Sequence, residues 1–509
     1  YKGYIMIIAD FSGGLNTRVA PHLLPPNQAQ IYKNIDNESG CLVPLKDKTD
    51  TGIPIDQYFT WYYAGNSFFG KTTETYYAEY GNILYHTNVS AIPSKYDGVN
   101  TYQLGITAPT TKLTLTDSAV GVLSGTYTYA YTYHNSTTGV ESAPNTISLE
   151  ATVIDRTITV SGFIASTDPQ VTNIRLYRIG GSLTQYTLVN EKANTTLSYV
   201  DNLADITIAG NHVLDTIGSG IPPIGLKYLT SIYSMLFGSV GDKLYFSDIG
   251  RPDYWPAINF IDFDDTITGI GALTSGIIVF TKFKSYIVTG NSPENFSMYL
   301  FSGSQGCIGH RTIQAVDNSL LWVSSDGLCA STGGAIEVIS MPLVGKLIFS
   351  TFYTSAVLDN VYYLSYLYAT EIKLLAFDFR YNRLIREMVV LGTNIVSAND
   401  KLYQVYQGTV RTLFNATTPL SMHYKSPMYV EGSYTNYKTY KDVYIQYSGT
   451  LQFKVYIDKV LINTVSLVGT SMRNIKLGNG SKGYGIEFEI TGTGEVYQIE
   501  YTLVGRQDG

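Results

Sequence analysis

Asp242-Lys243-Leu244-Tyr245-Phe246 is a turn residue followed by a short apolar and aromatic strand, and the same unit returns along the chain. It is legible at Asn82-Ile83-Leu84-Tyr85, at Gly276-Ile277-Ile278-Val279-Phe280 and at Asn318-Ser319-Leu320-Leu321-Trp322. It recurs at Asn360-Val361-Tyr362-Tyr363-Leu364 and at Asp400-Lys401-Leu402-Tyr403. From residue 242 the steps are 34, 42, 42 and 40 residues. A period of roughly 40 residues with about four strands per unit is the signature of a β-propeller blade.

Between 82 and 242 the gap is 160 residues, too long for one blade. Within it, residues 108–205 form a self-consistent second unit, with strands expected at 112–116, 125–133, 157–161, 174–179 and 197–200. Tyr127, Tyr129, Tyr131 and Tyr133 alternate with Thr128, Ala130 and Thr132, the period-2 pattern of a strand with two different faces. Length and strand spacing predict a sandwich of about seven strands, of the fibronectin or immunoglobulin type. From about residue 421 the strands lengthen: Leu451, Phe453, Val455 and Ile457 alternate with Gln452, Lys454, Tyr456 and Asp458. The predicted fold class is therefore all-β: a propeller of about six blades, an inserted sandwich and a C-terminal β-sandwich. The predicted segments are 1–107 (an N-terminal segment and the first blade), 108–205, 206–420 (the remaining blades) and 421–509. A weak helical period is read only at 343–352.

Composition agrees with strands and tight turns. Of 509 residues 44% are hydrophobic and only 15% charged, with 47 Gly and 44 Tyr. Net charge is −7, and the sequence has no run of five Lys or Arg, so the basic face of a phosphate-gripping protein is missing. Cys41, Cys307 and Cys329 are odd in number and widely spaced, which fits isolated buried thiols and a reducing compartment. The opening segment has an apolar-leaning stretch too short for a signal-peptide core, and Met6 is a candidate start. No stretch has the apolar length that spans a bilayer, so no membrane anchor is expected.

Residues 12–45 contain Ser12-Gly13-Gly14-Leu15-Asn16, Pro25-Pro26-Asn27-Gln28-Ala29, Asn34 and Gly40-Cys41-Leu42-Val43-Pro44. Further on stand Phe246-Ser247-Asp248 with Arg251-Pro252-Asp253-Tyr254-Trp255-Pro256, and Val279-Phe280-Thr281 with Tyr286-Ile287-Val288-Thr289-Gly290. Trp322-Val323-Ser324 with Asp326-Gly327 completes the set. In order and spacing these motifs resemble the tail nozzle and hub proteins of short-tailed bacteriophages, the tail tubular protein B and DNA-stabilisation hub families. Gly139-Val140-Glu141-Ser142-Ala143-Pro144 and Arg175-Leu176-Tyr177-Arg178 resemble fibronectin type III-like domains inside phage proteins. The inserted sandwich departs from the nozzle pattern. The resemblance implies a virion tail protein assembled in the host cytoplasm, a homo-oligomeric, hexameric ring beneath portal and adaptor. Its implied partners are the adaptor, the tail fibre, spike or needle proteins, and double-stranded DNA that passes without specific binding.

The six histidines, at 22, 86, 134, 212, 310 and 423, show no H-x-x-x-H or H-x-H spacing. Ile261-Asp262-Phe263-Asp264-Asp265 holds an acidic cluster that could serve glycoside hydrolysis or calcium, but its alternation is that of a half-exposed strand. Ser324-Ser325-Asp326-Gly327 loosely resembles the Asp-box turns of sialidase propellers and reads as a hairpin turn. Gly13-Gly14 and Gly333-Gly334 read as turn glycines. No catalytic, cofactor or metal residue is assigned, and the chain is expected not to be an enzyme. The competing expectations are a receptor- or carbohydrate-binding tail spike or propeller and a secreted adhesion module.

Overall fold

The structure is a computed structural model that describes residues 3–36, 39–54, 59–63, 67–195, 197–343, 354–368, 371–381, 384–389, 394–433, 435–478 and 481–505. Among these the helical elements are the short α-helix Asp205–Ile208 and four single turns of 3-10 helix. The fold is all-β and of the β-propeller type. Its repeat is an antiparallel four-stranded meander, present at 76–103, 227–262, 267–302, 314–338 and 354–389. A sixth, at 394–412, takes its fourth strand from Thr49–Pro54. The helical period read at 343–352 falls, apart from residue 343, outside the described residues.

The turn between the first two strands explains the sequence repeat. In four meanders both central residues of a two-residue loop are left-handed: Gly81 and Asn82 (φ 59° and 61°), Tyr233 and Ser234 (53° and 59°), Asp359 and Asn360 (48° and 58°), Asn399 and Asp400 (47° and 54°). A loop of this kind matches the right-handed twist of the strands it joins, and Gly, Asn and Asp tolerate it best. Five of the six quoted units are accordingly second strands. The unit at 242 is a third strand, Lys243–Phe246, and the second strand of its meander is Met235–Val240. Its turn uses Tyr233-Ser234, which carries none of the Gly, Asn or Asp that such a loop favours, so the repeat is legible there only one strand later. Second strands begin at 235, 276, 319, 361 and 401, in steps of 41, 43, 42 and 40 residues.

The described chain divides into two compact units, one of Tyr1–Thr73, Leu273–Ile287 and Tyr299–Gly509, the other of Glu74–Ala272 and Val288–Met298. In the second unit the meanders at 76–103 and 227–262 share a core of Ala78, Tyr85, Leu104, Leu226, Leu236 and Trp255. The inserted domain has its own core, with all four tyrosines 127, 129, 131 and 133 inside it.

Among the described residues that inserted domain has five strands where seven were expected: Thr114–His134, Ala151–Ser161, Asn173–Gly180, Leu183–Ala193 and Ser198–Asp201. The expected strands at 112–116 and 125–133 are one strand of 21 residues. The stretch between them, which contains Gly121, is bulged, with register shifts at 117/120, 120/123 and 123/125. The first part of this strand pairs with Ala151–Ser161 and the last part with Asn173–Gly180.

In the first unit the C-terminal strands form a sandwich. One sheet runs Gly3–Ile8, Glu495–Gly505, Lys438–Ser448, Ser471–Lys476. The facing strands Met422–Lys425, Ile486–Gly492, Thr450–Ile457 and Val460–Val468 end a nine-stranded sheet that continues, through Ile31–Lys33, into the meander at 354–389. Leu451, Phe453, Val455 and Ile457 are all buried, as their alternation requires. The N-terminal segment thus serves three separate places: Gly3–Ile8 adds to the C-terminal sandwich, Ile31–Lys33 bridges two sets of strands, and Thr49–Pro54 completes the last meander.

Because Ser234 is held left-handed without a side chain suited to it, Ser234→Gly should stabilise the chain by about 1 kcal/mol and Ser234→Val should destabilise it by at least as much. The shift of the urea midpoint, with its sign, checks this.

Candidate functional site

The loop after Lys243–Phe246 joins several parts of the second unit through polar contacts. Its backbone closes on itself: Arg251 N–H donates to Asp248 O (3.2 Å), Tyr254 N–H to Arg251 O (3.0 Å) and Asp248 N–H to Tyr254 O (2.9 Å). Its side chains then reach outward in four directions. The Arg251 guanidinium lies 3.7 Å from the Tyr254 ring centroid and pairs with Asp215 at 3.1 Å. Asp253 Oδ1 accepts Lys95 Nζ at 2.5 Å and the Gly105 N–H at 2.9 Å. A Cβ on Gly105 would stand 2.8 Å from the Asp253 carbonyl oxygen, so this close approach requires glycine. Tyr254 Oη accepts the N–H of Glu141, in the inserted domain, at 2.8 Å. Trp255 is buried in the meander core and donates Nε1–H to Pro252 O at 2.9 Å. Burial pushes the Asp248 carboxyl upward, against the pull of Arg251.

Behind Tyr254 the inserted domain holds a polar network that sequence reading missed. Glu141, itself buried, accepts Thr132 Oγ1–H at 2.5 Å, Tyr177 Oη–H at 2.6 Å and Arg175 at 2.7 Å. Arg175 also donates to Glu191 (2.9 Å), which lies 3.0 Å from His134 Nδ1. His212 Nε2 stands 3.9 Å from Glu141. A separate buried set joins Arg178 to Asp201 (2.5 Å) and Asp205 (2.8 Å), with Tyr129 Oη–H also on Asp201 at 2.7 Å. Arg175 and Tyr177 share one face of their strand while Arg178 points to the other, a signal present in the quoted Arg175-Leu176-Tyr177-Arg178. Both carboxylates of the first network are engaged by donors of the same domain, which makes them structural anchors.

The opening motif does comparable work in the first unit. Gly13 N–H donates to Asn27 O, and a Cβ on Gly13 would meet the Asn27 backbone at 2.6 Å. Asn16 Nδ2–H donates to Gln28 Oε1 at 2.8 Å. Gln30 Nε2–H donates to Ser426 O and Glu487 Oε1, both at 2.7 Å. Asn34, left-handed at φ 55°, donates Nδ2–H to Ser421 O and accepts the Val389 N–H. Leu42 and Val496 exchange backbone hydrogen bonds at 3.0 and 2.9 Å.

The remaining flagged residues do not converge. Asp262, Asp264 and Asp265 are exposed while Phe263 is buried; Asp262 pairs with Lys243 across the strands, and Asp265 accepts the Thr266 N–H. His423 sits 3.1 Å from Glu489, and burial pushes His310 down to about 3. Cys307 and Cys329 are free thiols in one core cluster, pushed up by burial to about 12 and about 11. Ser324 pairs with Gly327 across the tight turn at Ser325-Asp326. Among the described residues no group of three His, Cys, Asp or Glu is placed to hold a metal ion, and no helix is long and apolar enough to cross a membrane.

No protein-family model matches this chain, and no curated relative matches it. Similar solved structures include PorZ, a surface component of the type-IX secretion system of Porphyromonas gingivalis, at 10% identity over 62% of this chain, with TM-score 0.26. That match spans 43% of the PorZ chain. A glycoside hydrolase family 43 arabinoxylan arabinofuranohydrolase from Bacillus subtilis matches at 9% identity over 69% of this chain and 93% of its own, with TM-score 0.19. The WD40 domain of SCAP from fission yeast matches at 9% identity over 75% and 98%, with TM-score 0.22. The expectation that the chain is not an enzyme is corrected here: glycoside hydrolases are among the matched structures, so likeness of fold does not set it apart from enzymes. At these scores the likeness carries no activity, substrate or partner to this chain either.

Tyr254→Phe removes the acceptor of the buried Glu141 N–H and should cost about 1–3 kcal/mol. Hydrogen exchange at the Glu141 amide should accelerate in the variant, and an unchanged rate would contradict the contact.

Proposed function

We propose that the chain is a structural virion protein of a short-tailed bacteriophage, a ring subunit of the tail nozzle or hub. In this reading it is made in the host cytoplasm and lines part of the channel for genome ejection, below portal and adaptor. The observation that supports it most is where the resemblance-bearing residues lie. The 12–45 motif and the Arg251-Pro252-Asp253-Tyr254-Trp255-Pro256 loop are the fasteners of their respective units. A motif that holds strands and an appended domain together suits a subunit whose task is mechanical.

Charge supports the passive part of the role. Each neutralised phosphate adds affinity through counterion release, so a basic wall would retain the genome. A ring of copies, each of net charge −7, multiplies negative charge around its axis and leaves the duplex within its own hydration layer.

The second reading is a receptor- or carbohydrate-binding propeller or tail spike. It is favoured by the inserted domain, whose paired strands Thr114–His134 and Ala151–Ser161 leave Val120, Val122 and Ile154 exposed.

Negative-stain images of the purified protein should show rings with a central opening, and the assembled ring should bind double-stranded DNA weakly at low salt. Trimeric rods would favour the second reading. Tight DNA binding with a steep salt slope would contradict the passive conduit.

A further inference from the structure

The C-terminal sandwich has edges of two kinds. Ser471-Met472-Arg473-Asn474-Ile475-Lys476 closes one side of its first sheet with Arg473 and Lys476, the charged guard that keeps an edge from pairing with other chains. Two other edges carry no guard. Gly3-Tyr4-Ile5-Met6-Ile7-Ile8 ends the same sheet on its other side, and Val460-Leu461-Ile462-Asn463-Thr464-Val465-Ser466-Leu467-Val468 ends the facing sheet. Neither strand contains a charged residue or a proline. Among the described residues no strand pairs with the outer side of either. Their apolar side chains are nonetheless bare: Ile5 is 65% exposed, Ile7 60%, Val460 62% and Val468 74%.

These two edges lie on opposite flanks of the sandwich. Phe11, just past the first strand, packs edge-on against Tyr424 of Met422–Lys425, with ring centroids 5.6 Å apart. In the next strand, Tyr501 packs on Phe488 of Ile486–Gly492 at 5.7 Å. Further across, Tyr447 Oη–H donates to the carbonyl of Val468 at 3.3 Å. Crossing the first sheet away from Gly3–Ile8 therefore leads over the facing sheet toward Val460–Val468.

We propose that these edges dock onto each other between copies of this chain: Val460–Val468 of one copy adds antiparallel to Gly3–Ile8 of the next. A foreign strand would cover one edge and leave the other bare, whereas a head-to-tail contact between copies covers both at once. The antiparallel sense also brings the exposed Lys459, just before one strand, toward the exposed Asp10, just after the other. The ring reading above is deepened by this junction, which rests on that reading only for closure of the assembly.

The test uses the full chain and two edge variants, Ile5→Lys and Ile462→Lys, with Ile7→Lys as a second probe of the first edge. Far-UV circular dichroism confirms that each variant folds. Sedimentation velocity should show the wild type as an oligomer and each variant as a single chain of 56.2 kDa. An equimolar mixture of Ile5→Lys and Ile462→Lys should give dimers and nothing larger, because each copy retains one working edge and the two are complementary. Variants that assemble like the wild type would overturn the edge junction and leave the ring reading standing. Open filaments that the variants abolish would support the junction and contradict a closed ring. A wild type that stays a single chain at high concentration would overturn both.

Discussion

Every sheet ends in a row of backbone N–H and C=O groups that must find partners or face water, and in this chain the treatment of those rows shapes most of the architecture. The last meander has its outer row covered by Thr49–Pro54, more than 350 residues away in sequence, with Arg411 held to Asp50 at 2.6 Å. The Leu384–Val389 strand meets Ile31–Lys33, which in turn meets Met422–Lys425. In the inserted domain the Tyr129–Tyr133 stretch loses its partner on one side and is covered by side chains instead. Ser148 Oγ, Asn145 Oδ1 and Ser142 Oγ accept the N–H groups of Tyr129, Tyr131 and Tyr133 in turn. The N–H groups of the same three residues donate back to the tyrosine carbonyls.

Coverage of this kind is non-local, which decides what could be read from sequence. The meander repeat was legible because a two-residue turn with both residues left-handed favours Asn, Asp or Gly, and such residues stand before the second strand at Asn82, Asn360 and Asp400. It failed at Tyr233-Ser234, where tertiary packing holds a turn that local preference does not favour. The inserted domain was legible as a unit from its length, but the strands expected at 112–116 and 125–133 are one long strand whose register shifts fall at 117–125. The roles of Gly3–Ile8 and Thr49–Pro54 left no local trace, since a strand that completes a distant sheet looks like any other.

The candidate site divides in the same way. Arg251-Pro252-Asp253-Tyr254-Trp255-Pro256 stands out in the sequence, yet Lys95, Gly105 and Glu141, which give it meaning, lie 113 to 158 residues away. The Glu141–Arg175–Glu191 network left only a partial signal, because its members are single charged residues, Glu141 in a connection and Arg175 and Glu191 on neighbouring strands. Buried ion pairs of this sort add little net stability relative to apolar packing, while the loss of one partner is strongly destabilising. Arg178 between Asp201 and Asp205 is the clearest case, since its side chain is fully buried. Such a set fixes which strands meet and in which register, a use consistent with an appended domain that must keep one orientation on its loop.

Beside these covered edges stand the two bare and uncharged ones on the C-terminal sandwich, whose proposed junction is open to direct test. Hydrogen–deuterium exchange on the assembled wild type and on the Ile462→Lys single chain compares the same amides with and without a neighbour. The account predicts that Gly3–Ile8 and Val460–Val468 exchange markedly more slowly in the assembly, while Ser471–Lys476 is unchanged. Equal exchange of both bare strands in the two states would contradict it.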